Sequence, residues 1–260
     1  ISMKVGFIGL GNAGGKLVGS LLRNGYDLTV RDLNKEFVNK FVERGANTGL
    51  SPKEMAEHCD VMITCLPSPK VCSEVMESKD GVLAGLSKGK IWLEMSTTDE
   101  AEIRRIGALV DAVGALPIDC PVSGGCHRAD TGNISIFAGC KREAFELALP
   151  ILTTMGRRVL HTGDLGTASK LKVMTNYLAT VNLTSIAEAL TTMKALGMDM
   201  NVTYEAIKAS SGNSFVHETE SQVILNGSRD ISFTMDLVSK DVGIFNELAK
   251  RKGLDLEIAP

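Results

Sequence analysis

Val5-Gly6-Phe7-Ile8-Gly9-Leu10-Gly11-Asn12-Ala13-Gly14 sets a G-x-G-x-x-G spacing directly behind an apolar run and at the head of a helical pattern. Such a segment handles phosphate through its backbone. Gly9 permits a tight turn, Gly11 lets the main chain approach a pyrophosphate, and Gly14 lets the helix pack closely on the strand. The free N–H groups of the first helical turn, reached through Leu10, Asn12 and Ala13, and the positive end of the helix dipole complete an anion site. Asp32 ends the next strand-like run, where a carboxylate can accept hydrogen bonds from a ribose diol. It would also repel a 2′-phosphate, so NAD is favoured and NADP is the alternative cofactor. Arg31 could take that phosphate, but successive strand residues point to opposite faces. A solvated charge at the strand end is the plainer reading of Arg31.

A second group with chemical potential is Pro121-Val122-Ser123-Gly124-Gly125. The Ser123 hydroxyl with the bare N–H groups of Gly124 and Gly125 can form a small concavity for a carboxylate. A glycine turn that only redirects the chain would read the same way. His58, His127, His161 and His217 show no metal-ligand spacing. G-x-S-x-G and G-x-x-x-x-G-K-[ST] are both absent, which sets aside the usual serine-hydrolase and P-loop chemistries. His127 and Arg128 follow the serine–glycine turn, where they either meet the distal end of a substrate or sit on a solvated turn.

These groups need elements that hold them. Lys4–Ile8, Asp27–Val30, Val61–Leu66, Ile91–Glu94, Leu116–Asp119, Ile134–Ala138 and Arg158–Leu160 read as strands. Between them lie helical patterns at Lys16–Arg23, Lys35–Arg44, Pro52–His58, Asp99–Val113 and Lys141–Met155. Alternation of this kind predicts a parallel, doubly wound sheet covered on both faces, a Rossmann-type α/β domain over residues 1–164. Beyond it the strand signals stop. Ala168–Leu196 spaces its apolar residues as one long helix, and Val202–Ser210, Val216–Ile224 and Met235–Arg251 follow as helices. The expectation is an all-helical domain over residues 165–260, joined to the first by the long helix.

With 260 residues, 44 % hydrophobic and 23 % charged, the chain has the balance of an ordinary globular protein that needs no disulfide or metal to fold. A net charge of −3 offers no footprint for nucleic acid or an anionic membrane surface. The six cysteines form no C-x-x-C pair and read as reduced thiols in a cytoplasmic protein. No uncharged apolar run is long enough to span a membrane, and Met3 reads as the native start.

Asp119-Cys120-Pro121-Val122-Ser123-Gly124-Gly125, followed by Ala129 and Gly132, resembles the D-x-P-V-S-G-G-x-x-x-A-x-x-G substrate motif of the β-hydroxyacid dehydrogenases. Gly163-Asp164-Leu165-Gly166-Thr167-Ala168-Ser169-Lys170-Leu171-Lys172-Val173-Met174-Thr175-Asn176 is similar to that family's G-x-x-G-x-G-x-x-x-K-x-x-x-N, departing from it at Ala168, where a second glycine is usual. Phe233-Thr-Met-Asp-Leu237-Val-Ser-Lys240-Asp241 matches F-x-x-x-L-x-x-K-D. With the opening fingerprint, the resemblance spans essentially the whole chain.

The resemblance implies that Ser123, Gly124 and Gly125 hold a substrate carboxylate and that Lys172 is the acid/base. Asn176, one helical turn on, would orient the hydroxyl. Leu66, Pro67 and Thr97 would contact NAD, and Lys240 would reach toward it. Both Leu66-Pro67 and Thr97 follow strands at their carboxyl ends, where ligands bind in such sheets; Thr97 reads equally well as an N-cap for the helix after it. An ordinary lysine is a poor base at neutral pH, so domain closure, burial and neighbouring cations would have to lower the Lys172 pKa. Lys170 would be a surface or cofactor-flanking charge.

The reaction implied is NAD-dependent interconversion of a short β-hydroxy acid, of the 3-hydroxyisobutyrate type, and its semialdehyde. The alternatives are an NADPH-dependent semialdehyde reductase of the tartronate, succinic or glyoxylic type, and a non-catalytic nucleotide-binding module. Against the reductase, Asp32-Leu33-Asn34 stands where NADPH-using members carry Asn-Arg-Ser/Thr; against the module stands Lys172 itself. The resemblance further implies a homodimer or homotetramer, and a C-terminal helix beyond Leu256-Glu257-Ile258-Ala259-Pro260.

Overall fold

The computed structural model describes residues 3–124, 132, 134–228 and 233–259. Gly125, His127 and Arg128 lie outside the described residues. The chain divides into two compact units, Ile1–Lys172 and Val173–Pro260.

Among the described residues of the first unit, eight strands form one sheet: β1 (Lys4–Ile8), β2 (Asp27–Arg31), β3 (Val61–Thr64), β4 (Ile91–Glu94), β5 (Leu116–Asp119), β6 (Val122–Ser123), β7 (Ser135–Gly139) and β8 (Arg158–Gly163). The order is β2-β1-β3-β4-β5-β7-β6, with β8 against β7. From β2 to β5 every pair is parallel. The order reverses direction at β1, so a crevice opens at the carboxyl ends of β1 and β3.

Among the described residues the helices of this unit are α1 (Asn12–Arg23), α2 (Lys35–Val42), α3 (Pro52–His58), α4 (Pro69–Glu77), α5 (Val82–Gly85), α6 (Glu100–Ala112) and α7 (Arg142–Met155). Period-2 alternation in the strands feeds a core on each face. Val5, Phe7, Ile63 and Leu93 pack with Leu17 and Leu21 of α1 and Leu152 of α7. Ile8, Met62 and Trp92 pack on the other face with Met55 of α3, Met76 of α4 and Ile103 of α6. Such a fully enclosed aromatic as Trp92 contributes strongly; its truncation to alanine would cost about 3–5 kcal/mol.

Two features depart from the sequence expectation. The sheet is not parallel throughout: β7 runs antiparallel to both β5 and β6. A parallel return needs a crossover of about a dozen residues or more, whereas β6 ends at Ser123 and β7 begins at Ser135. Helices α4 and α5 form in stretches outside the helical patterns named from the sequence. Ser68 caps α4 by accepting from the Val71 amide, with Pro69 at its first position, so that proline starts a helix rather than interrupts one.

The long helix α8 (Thr167–Ala195) begins in the first unit and carries Lys172. The second unit continues with α9 (Met200–Lys208), α10 (Phe215–Asn226) and α11 (Met235–Lys250). Asp199, Ser214 and Thr234 cap the last three helices. Buried His217 joins α9 to α10: one ring nitrogen lies 2.9 Å from Ser221 Oγ and the other 3.0 Å from the Tyr204 carbonyl. Tyr177 of α8 stacks on Phe245 of α11 at 4.7 Å between ring centroids.

Candidate active site

At the β1–α1 junction the three fingerprint glycines meet three different constraints. Gly9 has φ +101°, and a Cβ there would lie 2.1 Å from the Cys65 carbonyl oxygen. A Cβ on Gly14 would lie 2.0 Å from the Gly9 carbonyl oxygen. Both contacts are with backbone, which cannot give way cheaply. Around Gly11 a Cβ would meet nothing within 4 Å. That open cradle sits at the N-cap of α1, which has no side-chain cap, whereas α2, α3, α4 and α6 are each capped by a side chain. The first-turn amides of Asn12 and Ala13 have no intrahelical acceptor, and the space beside Gly11 fits a dinucleotide pyrophosphate.

Asp32 and Arg31 part company at the end of β2. The Asp32 carboxylate accepts from the Leu10 amide at 2.7 Å and the Asn34 amide at 2.8 Å, which sets it beside the fingerprint turn. Arg31 donates instead to the Leu50 carbonyl at 3.1 Å. The two side chains therefore serve opposite faces, as the strand period requires.

The Leu66-Pro67 and Thr97 segments are joined by a residue that sequence reasoning passes over. Glu94 ends β4 fully buried. It accepts from Thr64 Oγ1 at 3.0 Å, from the Ser96 amide at 2.8 Å and from the Cys72 thiol. Ser96 Oγ in turn accepts from the Leu66 amide at 2.7 Å, and Trp92 Nε1 donates to Thr64 Oγ1. Burial raises the Glu94 pKa, against hydrogen bonds from Cys72, Ser96 and Thr64 that oppose it. Burial, and after it the Glu94 carboxyl, pushes the Cys72 thiol upward as well. Thr97 is half-buried and is not the cap of α6: Asp99 takes that place, accepting from the Ala101 amide at 2.8 Å.

Ser123 and Gly124 are half-buried at the end of β6, with Gly124 at φ +114°. Gly125 lies outside the described residues. Below them Asp119 closes β5, wholly buried, opposite Glu94 on β4 and Gly139 on β7. Its two oxygens accept from the Ser169 amide and the Ser169 hydroxyl, each at 2.7 Å. Burial pushes the Asp119 pKa up to about 6; the Ser169 and Gly166 hydrogen bonds pull against it, and Glu94 adds to the rise. Gly139 is bare for a reason of its own: a Cβ there would lie 2.9 Å from the Asp164 carbonyl and from Thr167 Oγ1. The start of α8 is thus seated on the Asp119–Gly139 pair. Ala168, the departure from the family pattern, is buried in that first turn.

Lys172 follows Ser169 by one turn and is half-buried. Lys170 points elsewhere, its ammonium 3.2 Å from Glu100. Within the second unit, buried Asp241 gathers two sequence-predicted residues. It accepts from Asn176 Nδ2 at 2.6 Å, and the Lys240 ammonium lies 3.4 Å from its other oxygen. Its place in the K-D pair is the available signal. Among the described residues, no group of three His, Cys, Asp or Glu is placed to hold a metal ion, and no helix is long and apolar enough to cross a membrane.

Comparison with known proteins gives the chain's family. Residues 4–163 match the family described as the NAD binding domain of 6-phosphogluconate dehydrogenase. Residues 166–259 match the NAD-binding family of NADP-dependent 3-hydroxyisobutyrate dehydrogenase. A 2-(hydroxymethyl)glutarate dehydrogenase from Eubacterium barkeri is 31% identical over 256 residues, covering 98% of this chain and 85% of the relative. The mitochondrial 3-hydroxyisobutyrate dehydrogenase of Mus musculus is 31% identical over 252 residues, covering 94% and 75%. Among solved structures, a 3-hydroxyisobutyrate dehydrogenase from Mycobacterium tuberculosis with L-serine superposes at a TM-score of 0.90 with 25% identity, over 100% of this chain and 90% of that one. By fold, motifs and relatives alike, the chain belongs to the β-hydroxyacid dehydrogenase family and is an NAD(P)-dependent oxidoreductase acting on a CH–OH group.

Proposed function

We propose that the protein interconverts a short β-hydroxy acid of the 3-hydroxyisobutyrate type and its semialdehyde, using NAD. Ser123, Gly124 and Gly125 hold the substrate carboxylate. Asn176 orients the hydroxyl, and the Lys172 amine takes its proton on oxidation and returns it on reduction. Gly9, Leu10, Gly11, Asn12, Ala13, Gly14, Asp32, Leu66, Pro67, Thr97 and Lys240 form the cofactor's binding surface. When bound, the nicotinamide supplies the hydride acceptor.

The observation that carries this reading is the seating of the Lys172 helix. Ser169 fixes its first turn to Asp119, on the strand that leads into the Ser123–Gly124 turn. NAD rather than NADP is supported by Arg31, whose guanidinium is committed to the Leu50 carbonyl while Asp32 stands at the fingerprint. A homodimer or homotetramer is supported by apolar side chains left exposed in the helical unit, Leu178, Phe215 and Met235 among them. The five described cysteines are free thiols, which supports a reducing compartment such as the cytoplasm.

The test is nicotinamide reduction with a panel of short hydroxy acids, run with NAD and with NADP. Turnover of 3-hydroxyisobutyrate with NAD is expected, and Lys172→Ala should lower kcat about 1,000-fold or more while NADH still binds. Near-normal turnover in that variant would remove Lys172 from the chemistry. Activity confined to NADP would reverse the roles given to Arg31 and Asp32.

A further inference from the structure

Asp119 is an expensive residue for its position. It is 0 % exposed, lies across the strand pair from a second buried carboxyl, Glu94, and is held by the neutral donors of Ser169 and Gly166. A buried carboxylate without an opposite charge is costly unless its hydrogen bonds do something an apolar side chain could not. Here the two oxygens grip Ser169 at two points, through its backbone N–H and its hydroxyl, with the Gly166 N–H as a further donor. The amide belongs to the first turn of α8, where the helix itself supplies no acceptor. Gly139 leaves room for that turn to sit directly on the strand ends. The contact joins residues 50 apart in the chain and links the strand before the Ser123–Gly124 turn to the helix that carries Lys172.

We propose that Asp119 is a positioning residue for the reaction: by holding Ser169 at two points it fixes the Lys172 amine at one distance from the Ser123–Gly124 carboxylate turn. The inference rests on the reading of Lys172 as acid/base. Its basis is geometric. A single hydrogen bond would leave the first turn free to pivot, whereas two bonds from one rigid, buried carboxyl set both its height and its rotation. Proton exchange at a bound hydroxyl tolerates little displacement, since a misplacement of about 1 Å can cost about a hundredfold in rate. The hydrogen-bonding pattern, not the charge, is the working part. Asparagine could accept from the amide through its Oδ1 and donate to the hydroxyl through its Nδ2, and so keep both points.

The experiment uses the full chain with Asp119→Asn, Asp119→Ala and Ser169→Ala, each with and without Lys172→Ala. The first readout is kcat and KM with 3-hydroxyisobutyrate and NAD. Asp119→Asn should stay within about threefold of wild type, Asp119→Ala should lose about 10–100-fold in kcat with KM for NAD unchanged, and Ser169→Ala, which keeps the amide bond, should fall between. In the Lys172→Ala background the Asp119→Ala loss should vanish, because residues acting through one group are not additive.

A second readout needs no substrate: the pH profile of reductive methylation at Lys172, with Lys170 as the internal control, followed by mass spectrometry. Asp119→Ala should displace the Lys172 profile and leave Lys170 alone, and Asp119→Asn should displace neither. Ser169→Ala carries the same comparison if Asp119→Ala fails to fold. Superimposable Lys172 profiles in Asp119→Ala, Ser169→Ala and wild type would overturn the proposal, as would an Asp119→Asn as damaged as Asp119→Ala. If Lys172→Ala retained turnover, the functional reading would fall instead, while the methylation profiles would still decide whether Asp119 places that lysine.

Discussion

At the proposed nucleotide end of the site Gly9, Gly11 and Gly14 act by lacking a side chain, whereas at the proposed substrate end Asp119 and Ser169 act by burying one. The first arrangement is made within a single strand–turn–helix, and backbone meets backbone: the positions a Cβ would need at Gly9 and Gly14 are already held by carbonyl oxygens. The second is made between segments far apart in the chain, through paired hydrogen bonds between buried groups. The difference follows from what each end must handle. A pyrophosphate is large and anionic, and it is received by leaving space and free N–H groups. A single proton transfer requires one amine at one distance, which is set by directional bonds.

The contrast breaks most sharply at Gly14. In Gly14→Ala the added carbon would stand 2.0 Å from the Gly9 carbonyl oxygen, so α1 must lift from the sheet. A loss of about 3 kcal/mol or more is expected from the shift of the urea midpoint, the upper range for overpacking. Gly11→Ala is the matched control. Its Cβ enters open space at an ordinary φ of −63°, so its midpoint should match wild type. Its affinity for NADH, by fluorescence titration, should fall about tenfold, worth about 1.4 kcal/mol. Equal midpoints for the two variants would show that the close approach at Gly14 is soft.

The substrate end should respond to pH through Asp119. Asp119 has its folded-state pKa raised to about 6 from an ordinary carboxyl value, so the native state binds that proton more tightly than the unfolded chain does. The cost of ionising it is absent below about pH 4, grows as pH rises, and is complete above about 6; across that interval it amounts to about 3 kcal/mol. Asp119→Asn carries no such cost. Relative to wild type, its stability should therefore rise by about that amount between pH 4 and pH 7. A constant difference across that range, in parallel urea titrations, would mean that Asp119 is not held under this strain.

Asp32→Asn sharpens the nucleotide side by a smaller step. The amide should keep the bond from Leu10 but lose the charge that disfavours a 2′-phosphate. The ratio of KM for NADP to KM for NAD should fall about tenfold. An unchanged ratio would move cofactor choice to another residue.

How much of this can be read from the chain tracks how local each arrangement is. The glycine fingerprint and Asp32 are legible because strand, turn and helix follow one another without interruption, each with its own period. The same holds for α8 and for the two lysines on it. Glu94 reads only as the end of a strand, because its partners Thr64 and Cys72 come from a different strand and helix. Asp119 and Ser169 lie inside two separate motifs with nothing in either to say they touch. Asp241 stands beside Lys240 in the sequence, but its bond to Asn176 crosses 65 positions. Buried polar contacts between distant segments leave no periodic trace. The antiparallel β7 escapes for a related reason: the apolar pattern of a strand gives its faces but not the direction of its neighbour.

The smallest expected effect tests whether position or residue type makes a lysine matter. Lys170 and Lys172 are two residues apart on α8, which puts them on different faces. Lys170 is 48% exposed at the side chain and pairs with Glu100 at 3.2 Å, but Glu100 already holds Arg104 at 2.6 Å. Removing Lys170 therefore leaves no buried charge without a partner, and a solvent-exposed pair of this kind contributes about 0–1 kcal/mol. Lys170→Ala should shift the urea midpoint by less than about 0.5 kcal/mol and keep kcat within about twofold of wild type. A tenfold fall in kcat would instead place the acid/base at Lys170. The bond from Asp119 to Ser169 would then be fixing the face of the helix that turns away from the chemistry.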